Sequence, residues 1–191
     1  RCYSLKQYKE AVENYTQAIQ LQSNTALFYN NRGCAYGGLG EYDKAISDYN
    51  KAIELDSFNS TAYHNRGYTY NNLKEYEKAI SDYGKAIELS PNNATAYNNR
   101  GSIYIVLGRT DEAISDLNKA IELKPEVANP YKHLGDICKD QGEYTKSIQF
   151  ASKAIELNSE YKDAYLLRAE VYRLLGETKK AAADEEMAKK L

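Results

Sequence analysis

A chain of 191 residues with a formal net charge of −2 and 27% charged side chains carries no global basic field to hold nucleic acid or an anionic membrane surface. No apolar run approaches the roughly 18 residues needed to span a bilayer, and no charged-then-apolar leader opens the sequence, so neither nucleic acid nor membrane is expected as a partner. Cys2, Cys34 and Cys138 are odd in number, widely spaced and without a CxxC pair, which argues against a disulfide framework or a zinc site and favours a reducing compartment, the cytoplasm.

In chain order, the first recognisable string is "FYNNRGCAY" at Phe28–Tyr36; "AYHNRGYTY" from Ala62 and "AYNNRGSIY" from Ala96 repeat it at a period of 34 residues. A period of this length sets the fold before any domain count. With Ala26 as position one, the chain divides into 26–59, 60–93, 94–127, 128–161 and 162–191, preceded by a partial repeat at 1–25, and is expected to form a single solenoid over 1–191. It begins without methionine partway through a first helix, so an upstream portion is expected.

Each repeat reads as two antiparallel helices, A and B. In repeat two, helix A is expected over Leu27–Leu39, and Gly40 supplies the left-handed residue that closes it. Gly108, Gly142 and Gly176 recur at that position, with Lys6 and Lys74 as exceptions. Helix B is expected over Tyr42–Leu55, with a 3–4 apolar spacing through Ala45, Ile46, Tyr49, Ala52 and Ile53. Ser57, Pro91, Pro125 and Ser159 then interrupt the chain before the next helix A. Small residues recur at position 8 (Gly33, Gly67, Gly101, Gly135, Ala169) and position 27 (Ala18, Ala52, Ala86, Ala120, Ala154, Ala188), marking close helix crossings. Of the 19 tyrosines, 17 fall at positions 4, 11, 17 or 24 and read as packing residues, leaving only Tyr68 and Tyr161 elsewhere.

These registers resemble the tetratricopeptide repeat (TPR) family over the whole chain, with the family's first-helix Trp replaced by Tyr at position 4. The resemblance implies an all-α, right-handed superhelical solenoid of antiparallel helix pairs whose A helices line a concave, peptide-binding groove. Physical reasoning agrees on stacking, because one helix pair cannot bury its apolar face alone.

Position 7, usually leucine in the family, holds Arg32, Arg66, Arg100 and Arg168, while position 23 holds Asp48, Asp82, Asp116 and Asp184 in those same repeats; repeat five has Leu134 and Phe150 instead. The joint change predicts that each Arg pairs with the Asp of its own repeat, a structural role rather than a cationic groove.

Carried over from the family, the groove positions are 2, 5, 6, 9, 12 and 13. Repeats two to four offer Asn30, Asn31, Cys34, Gly37 and Gly38, then His64, Asn65, Tyr68, Asn71 and Asn72, then Asn98, Asn99, Ser102, Ile105 and Val106: a polar, almost uncharged surface. Repeats five and six mix charge with apolar residues through Asn129, Lys132, His133, Asp136, Lys139 and Asp140, then Asp163, Leu166, Leu167, Glu170, Arg173 and Leu174. Asn31, Asn65 and Asn99 share position 6, and a row of carboxamides can bond the backbone of an extended peptide without reading its side chains. This row is similar to the asparagine ladder in the TPR arm of protein O-linked N-acetylglucosamine transferases, and it stops at His133 and Leu167. A clamp for a C-terminal carboxylate, which the chaperone-tail class of TPR domains builds from Lys at position 5 and Asn at position 9, is not expected, since Lys132 is followed four residues on by Asp136.

No nucleophile elbow, His-x-x-His or phosphate loop occurs, so an enzyme is not expected, and neither is a cofactor or metal. The expected function is a protein–protein interaction module for an extended peptide or protein segment. The alternatives are a self-assembling scaffold, associating through the N-terminal end where repeat one lacks its first nine positions, and the targeting arm of an enzyme whose catalytic domain lies outside this chain.

Overall fold

A computed structural model of the protein describes residues 5–191; Cys2 and Tyr3, the latter assigned above to helix packing, lie outside the described residues. Among these residues the chain is all-α, with eleven helices and no strand. In order they are α1 (Leu5–Leu21), α2 (Ala26–Gly38), α3 (Tyr42–Leu55), α4 (Ser60–Asn72), α5 (Tyr76–Leu89), α6 (Ala94–Val106), α7 (Thr110–Leu123), α8 (Ala128–Asp140), α9 (Tyr144–Leu157), α10 (Lys162–Leu174) and α11 (Thr178–Lys190). Two compact units divide the chain, one ending at Ala96 and the other beginning at Tyr97. In the first, α2 packs on α3 and α4 on α5 as helix pairs, while α1 lies against α2, α3 against α4, and the A helices α2 and α4 touch. In the second, α8 pairs with α9 and α10 with α11, while α7 lies against α8, α9 against α10, and α8 touches α10.

The termini follow from local chemistry. Gly40 has φ +75°, and after it the Glu41 N–H reaches back to Tyr36 O at 2.9 Å while the Gly40 N–H bonds Gly37 O at 3.0 Å, the paired reversal that satisfies the last carbonyls of a helix. Gly108, Gly142 and Gly176 repeat this left-handed turn, and Lys74 adopts it at φ 60° despite its Cβ. Lys6, at the same register, behaves differently: α1 runs straight through it from Leu5. At the other end, Asn59 and Asn93 accept from the backbone N–H groups of Ala62 and Ala96, each at 3.0 Å, and cap the helices they precede.

The core is built on small residues. Ala52, Ala86, Ala120, Ala154 and Ala188 at position 27 are all buried, as are Ala45, Ala79 and Ala113 beneath the A helices. Gly33 is required by close approach: a Cβ there would lie 2.7 Å from the Tyr49 ring. Tyr49 and Tyr83 are fully packed, and Tyr161, outside the packing registers, nevertheless packs against Ala128, Ala154 and Ala164. Of the 18 described tyrosines only Tyr68, 53% exposed, faces solvent.

Candidate functional site

The arginine of the repeated string turns inward. The Arg32 Nε donates to Asp48 Oδ2 at 2.8 Å and its Nη2 to Asp48 Oδ1 at 2.7 Å; Arg66 with Asp82, Arg100 with Asp116 and Arg168 with Asp184 repeat this two-point geometry at 2.7–2.8 Å. Each pair therefore lies within one repeat, the carboxylates buried and the guanidiniums mostly so. The hydrogen bond from its aspartate raises each arginine's pKa, outweighing the cost of burial. Flanking rings complete the string: the Arg32 guanidinium lies 5.7 Å from the Tyr29 ring centre and 5.9 Å from that of Tyr36, and Arg66 sits similarly between Tyr63 and Tyr70.

A third contact went unread in the sequence. Nη1 of Arg32, Arg66 and Arg168 donates to Thr16 Oγ1, Asn50 Oδ1 and Ser152 Oγ, at 3.1, 2.6 and 2.9 Å, tying each repeat to the one before. Its signal was available, since each polar partner stands 16 residues before its arginine. In repeat five, Leu134 is buried and Ser147 replaces the usual alanine, its hydroxyl donating to Gly135 O at 2.8 Å.

With these charges consumed, the A-helix face of the first unit is left uncharged in character. Asn30 is only 5% exposed; its Nδ2 donates to Asn31 Oδ1 at 3.2 Å, and its Oδ1 accepts from Asn65 Nδ2 at 3.0 Å. Asn31 Nδ2 donates to Tyr15 Oη at 3.2 Å, and Asn65 Nδ2 also approaches Cys34 Sγ at 3.2 Å. Asn30, Asn31 and Asn65 thus form a bonded network that joins α1, α2 and α4. His64 is half-buried, edge-on to the Tyr83 ring at 5.3 Å, and its burial lowers the imidazole pKa; Asn71 is half-buried and Asn72 exposed. Cys34 is exposed at residue level, but desolvation around its sulfur raises the thiol pKa, so it is not an activated thiolate.

Two clefts adjoin on this face and share Tyr8 and Cys34. One, of about 480 Å³, runs between α1 and α2 past Tyr15 and Asn31; the other, of about 350 Å³, lies between α2 and α4 over Gly37 and Gly38 and reaches Asn65 and Tyr68.

In the second unit, Asn98 Nδ2 donates to Asn99 Oδ1 at 3.3 Å and Ser102 Oγ bonds back to Asn99 O at 2.7 Å. Lys132 pairs with Asp136 at 2.8 Å along α8, so its ammonium is engaged within the chain. Lys139 reaches Glu170 at 3.0 Å, and Arg173 pairs with Glu185. His133 is half-buried and its pKa is lowered, first by burial and then by the Lys132 charge. A cleft of about 180 Å³ there is lined by Lys132, Asp136, Asp163, Leu166, Leu167 and Glu170. No helix of the described residues is long and apolar enough to cross a membrane.

Stacked helix pairs with an open A-helix face define a helical-repeat protein of the interaction-module class. Models of the tetratricopeptide repeat match residues 1–40, 26–59, 48–81, 67–108, 94–127 and 128–161, together a continuous run over most of the chain, and the chain belongs to the TPR family. TPR proteins are in general protein-interaction modules. Among solved structures, MamA is 27% identical over 83% of this chain and 92% of its own, with a TM-score of 0.73. A TPR protein of Parabacteroides merdae ATCC 43184 is 25% identical, covering 94% of this chain and 71% of its own, with a TM-score of 0.79. YrrB, a TPR protein with an unusual peptide-binding site, is 24% identical over 93% of this chain and 91% of its own, with a TM-score of 0.73, a likeness of fold. No curated protein matches the chain in sequence.

Proposed function

We propose that this chain holds an extended segment of a partner protein on the A-helix face of its first unit, with Asn31 and Asn65 bonding the segment's backbone, and that it does so without catalysing a reaction. The observation that carries this reading is the pair of adjoining, largely uncharged clefts beside Asn31 and Asn65. Asn65 spends both amide hydrogens on Asn30 Oδ1 and Cys34 Sγ and offers its carbonyl oxygen, while Asn31 gives one amide hydrogen to Tyr15 and offers the other, so each is held in place with capacity for a ligand, and a rigid surface leaves mostly the ligand to be ordered. The asparagine row's similarity to the TPR arm of protein O-linked N-acetylglucosamine transferases, and the peptide-binding site of YrrB, support the same reading by analogy. Affinity capture with the whole chain, followed by mass spectrometry and titration of synthetic segments of the captured protein, tests it; segments that bind only when folded into a domain count against it.

Self-association is the competing reading, favoured by α1, which has no fully buried residue although Tyr8, Ala11, Val12, Tyr15 and Ile19 form an apolar stripe. Gel filtration over a wide concentration range decides it: concentration-dependent dimers support the scaffold, a constant monomer removes it.

A further inference from the structure

The third contact of the repeated arginines fails once. Nη1 of Arg32, Arg66 and Arg168 donates to a side-chain oxygen standing 16 residues earlier, Thr16 Oγ1, Asn50 Oδ1 and Ser152 Oγ. At the same distance before Arg100 the sequence has Gly84, with no side chain to offer, and among the described residues nothing accepts from Arg100 Nη1. The rest of this guanidinium is placed as in the other repeats: Nε and Nη2 hold Asp116 at 2.7 and 2.8 Å, and the Tyr97 and Tyr104 rings flank it at 5.9 and 5.8 Å. A cleft of about 580 Å³, lined by second-unit residues alone, opens beside it between α6 and α7, with Tyr97, Ser115 and Asn118 among its walls.

This cleft lacks an acceptor, not a counter-charge. Asp116 balances Arg100, and Glu122 balances Lys119 across 2.7 Å. An entering carboxylate would set its hydrogen bond against repulsion from Asp116, and an entering ammonium would find both acids already engaged. We infer that Arg100 Nη1 takes a neutral side-chain oxygen of a partner protein, a carboxamide or hydroxyl of the kind that Asn50, Thr16 and Ser152 supply to its counterparts. A protein is the source because the chain belongs to a family of protein-interaction modules. Held by Asp116 and two rings, the guanidinium is oriented in advance, so little of this chain has to be ordered when the acceptor arrives. The site is a second point of contact with a partner and does not depend on the extended-peptide reading above.

Proton–nitrogen correlation spectra of the arginine side chains in the whole chain test this, with capped Gly-Asn-Gly, Gly-Asp-Gly, Gly-Lys-Gly and Gly-Ala-Gly tripeptides added at equal ionic strength. Gly-Asn-Gly should shift the Arg100 signal saturably and those of Arg32, Arg66 and Arg168 about fivefold less, because their Nη1 groups are occupied; the other three peptides should bind about fivefold more weakly. Ser152→Gly, which removes the acceptor of Arg168, should give Arg168 the response of Arg100, with thermal melts confirming that the variant folds; if it does not fold, Asn50→Gly makes the same test at Arg66. No response to Gly-Asn-Gly, equal responses at all four arginines, or binding of Gly-Asp-Gly, Gly-Lys-Gly or Gly-Ala-Gly as tight as that of Gly-Asn-Gly overturns the assignment. So does an arginine that stays unresponsive after its acceptor is removed from a folded variant.

Discussion

Arg66 on α4 and Asp82 on α5 exchange two hydrogen bonds of 2.8 and 2.7 Å between side chains that are 19% and 7% exposed. Arg66→Leu alone strands a buried carboxylate and should cost about 3 kcal/mol, whereas exchanging Arg66 and Asp82 together for Leu and Phe, as repeat five does with Leu134 and Phe150, should cost much less. A double-mutant cycle read by urea unfolding should give a coupling of about 1–3 kcal/mol, and additive losses would contradict the pairing.

Two glycines of α2 should respond in opposite directions. Gly33→Ala drives a methyl to 2.7 Å from the Tyr49 ring and should destabilise by about 1–3 kcal/mol, while Gly37→Ala enters open space and should stabilise by about 0.5–1 kcal/mol through helix propensity. Thermal melts of the two variants check this, and equal shifts would mean that the packing against Tyr49 is not tight.

Burial lowers the pKa of both His64 and His133. The unfolded chain takes up these protons near pH 6.5, the folded chain only at lower pH, so below about pH 6.5 the unfolded state binds more protons and stability falls. Melting temperature should therefore drop between pH 7 and pH 5, and less in the double variant H64Q/H133Q. An equal drop in both proteins would place the acid sensitivity elsewhere.

The repeat architecture was legible because its signals are local and copied: left-handed glycines, buried alanines and the joint change of positions 7 and 23 each recur at one register. Thus α3 runs over the expected Tyr42–Leu55, and α2, at Ala26–Gly38, starts and ends one residue early. Less was legible where a residue's fate depends on its neighbour in another repeat. Asn30, read as groove-facing, is 5% exposed because Asn65 and Asn31 close over it, and the donation of Asn31 to Tyr15 depends on helix packing that a 34-residue period does not reveal. The clefts were invisible for the same reason: the opening beside Tyr68 depends on two adjacent glycines lying opposite tyrosines of other helices.

The most direct test of the account is calorimetric titration of a captured partner segment against the wild-type chain and the double variant N31A/N65A, well below the melting temperature of both. That margin matters because Asn31 and Asn65 also bond Tyr15 and Asn30, so the variant should lose some stability as well. With each carboxamide contributing on the order of 1 kcal/mol, affinity should fall by roughly thirtyfold and the wild-type affinity should change little with added salt. Unchanged affinity in the folded double variant would contradict the role of Asn31 and Asn65 in binding.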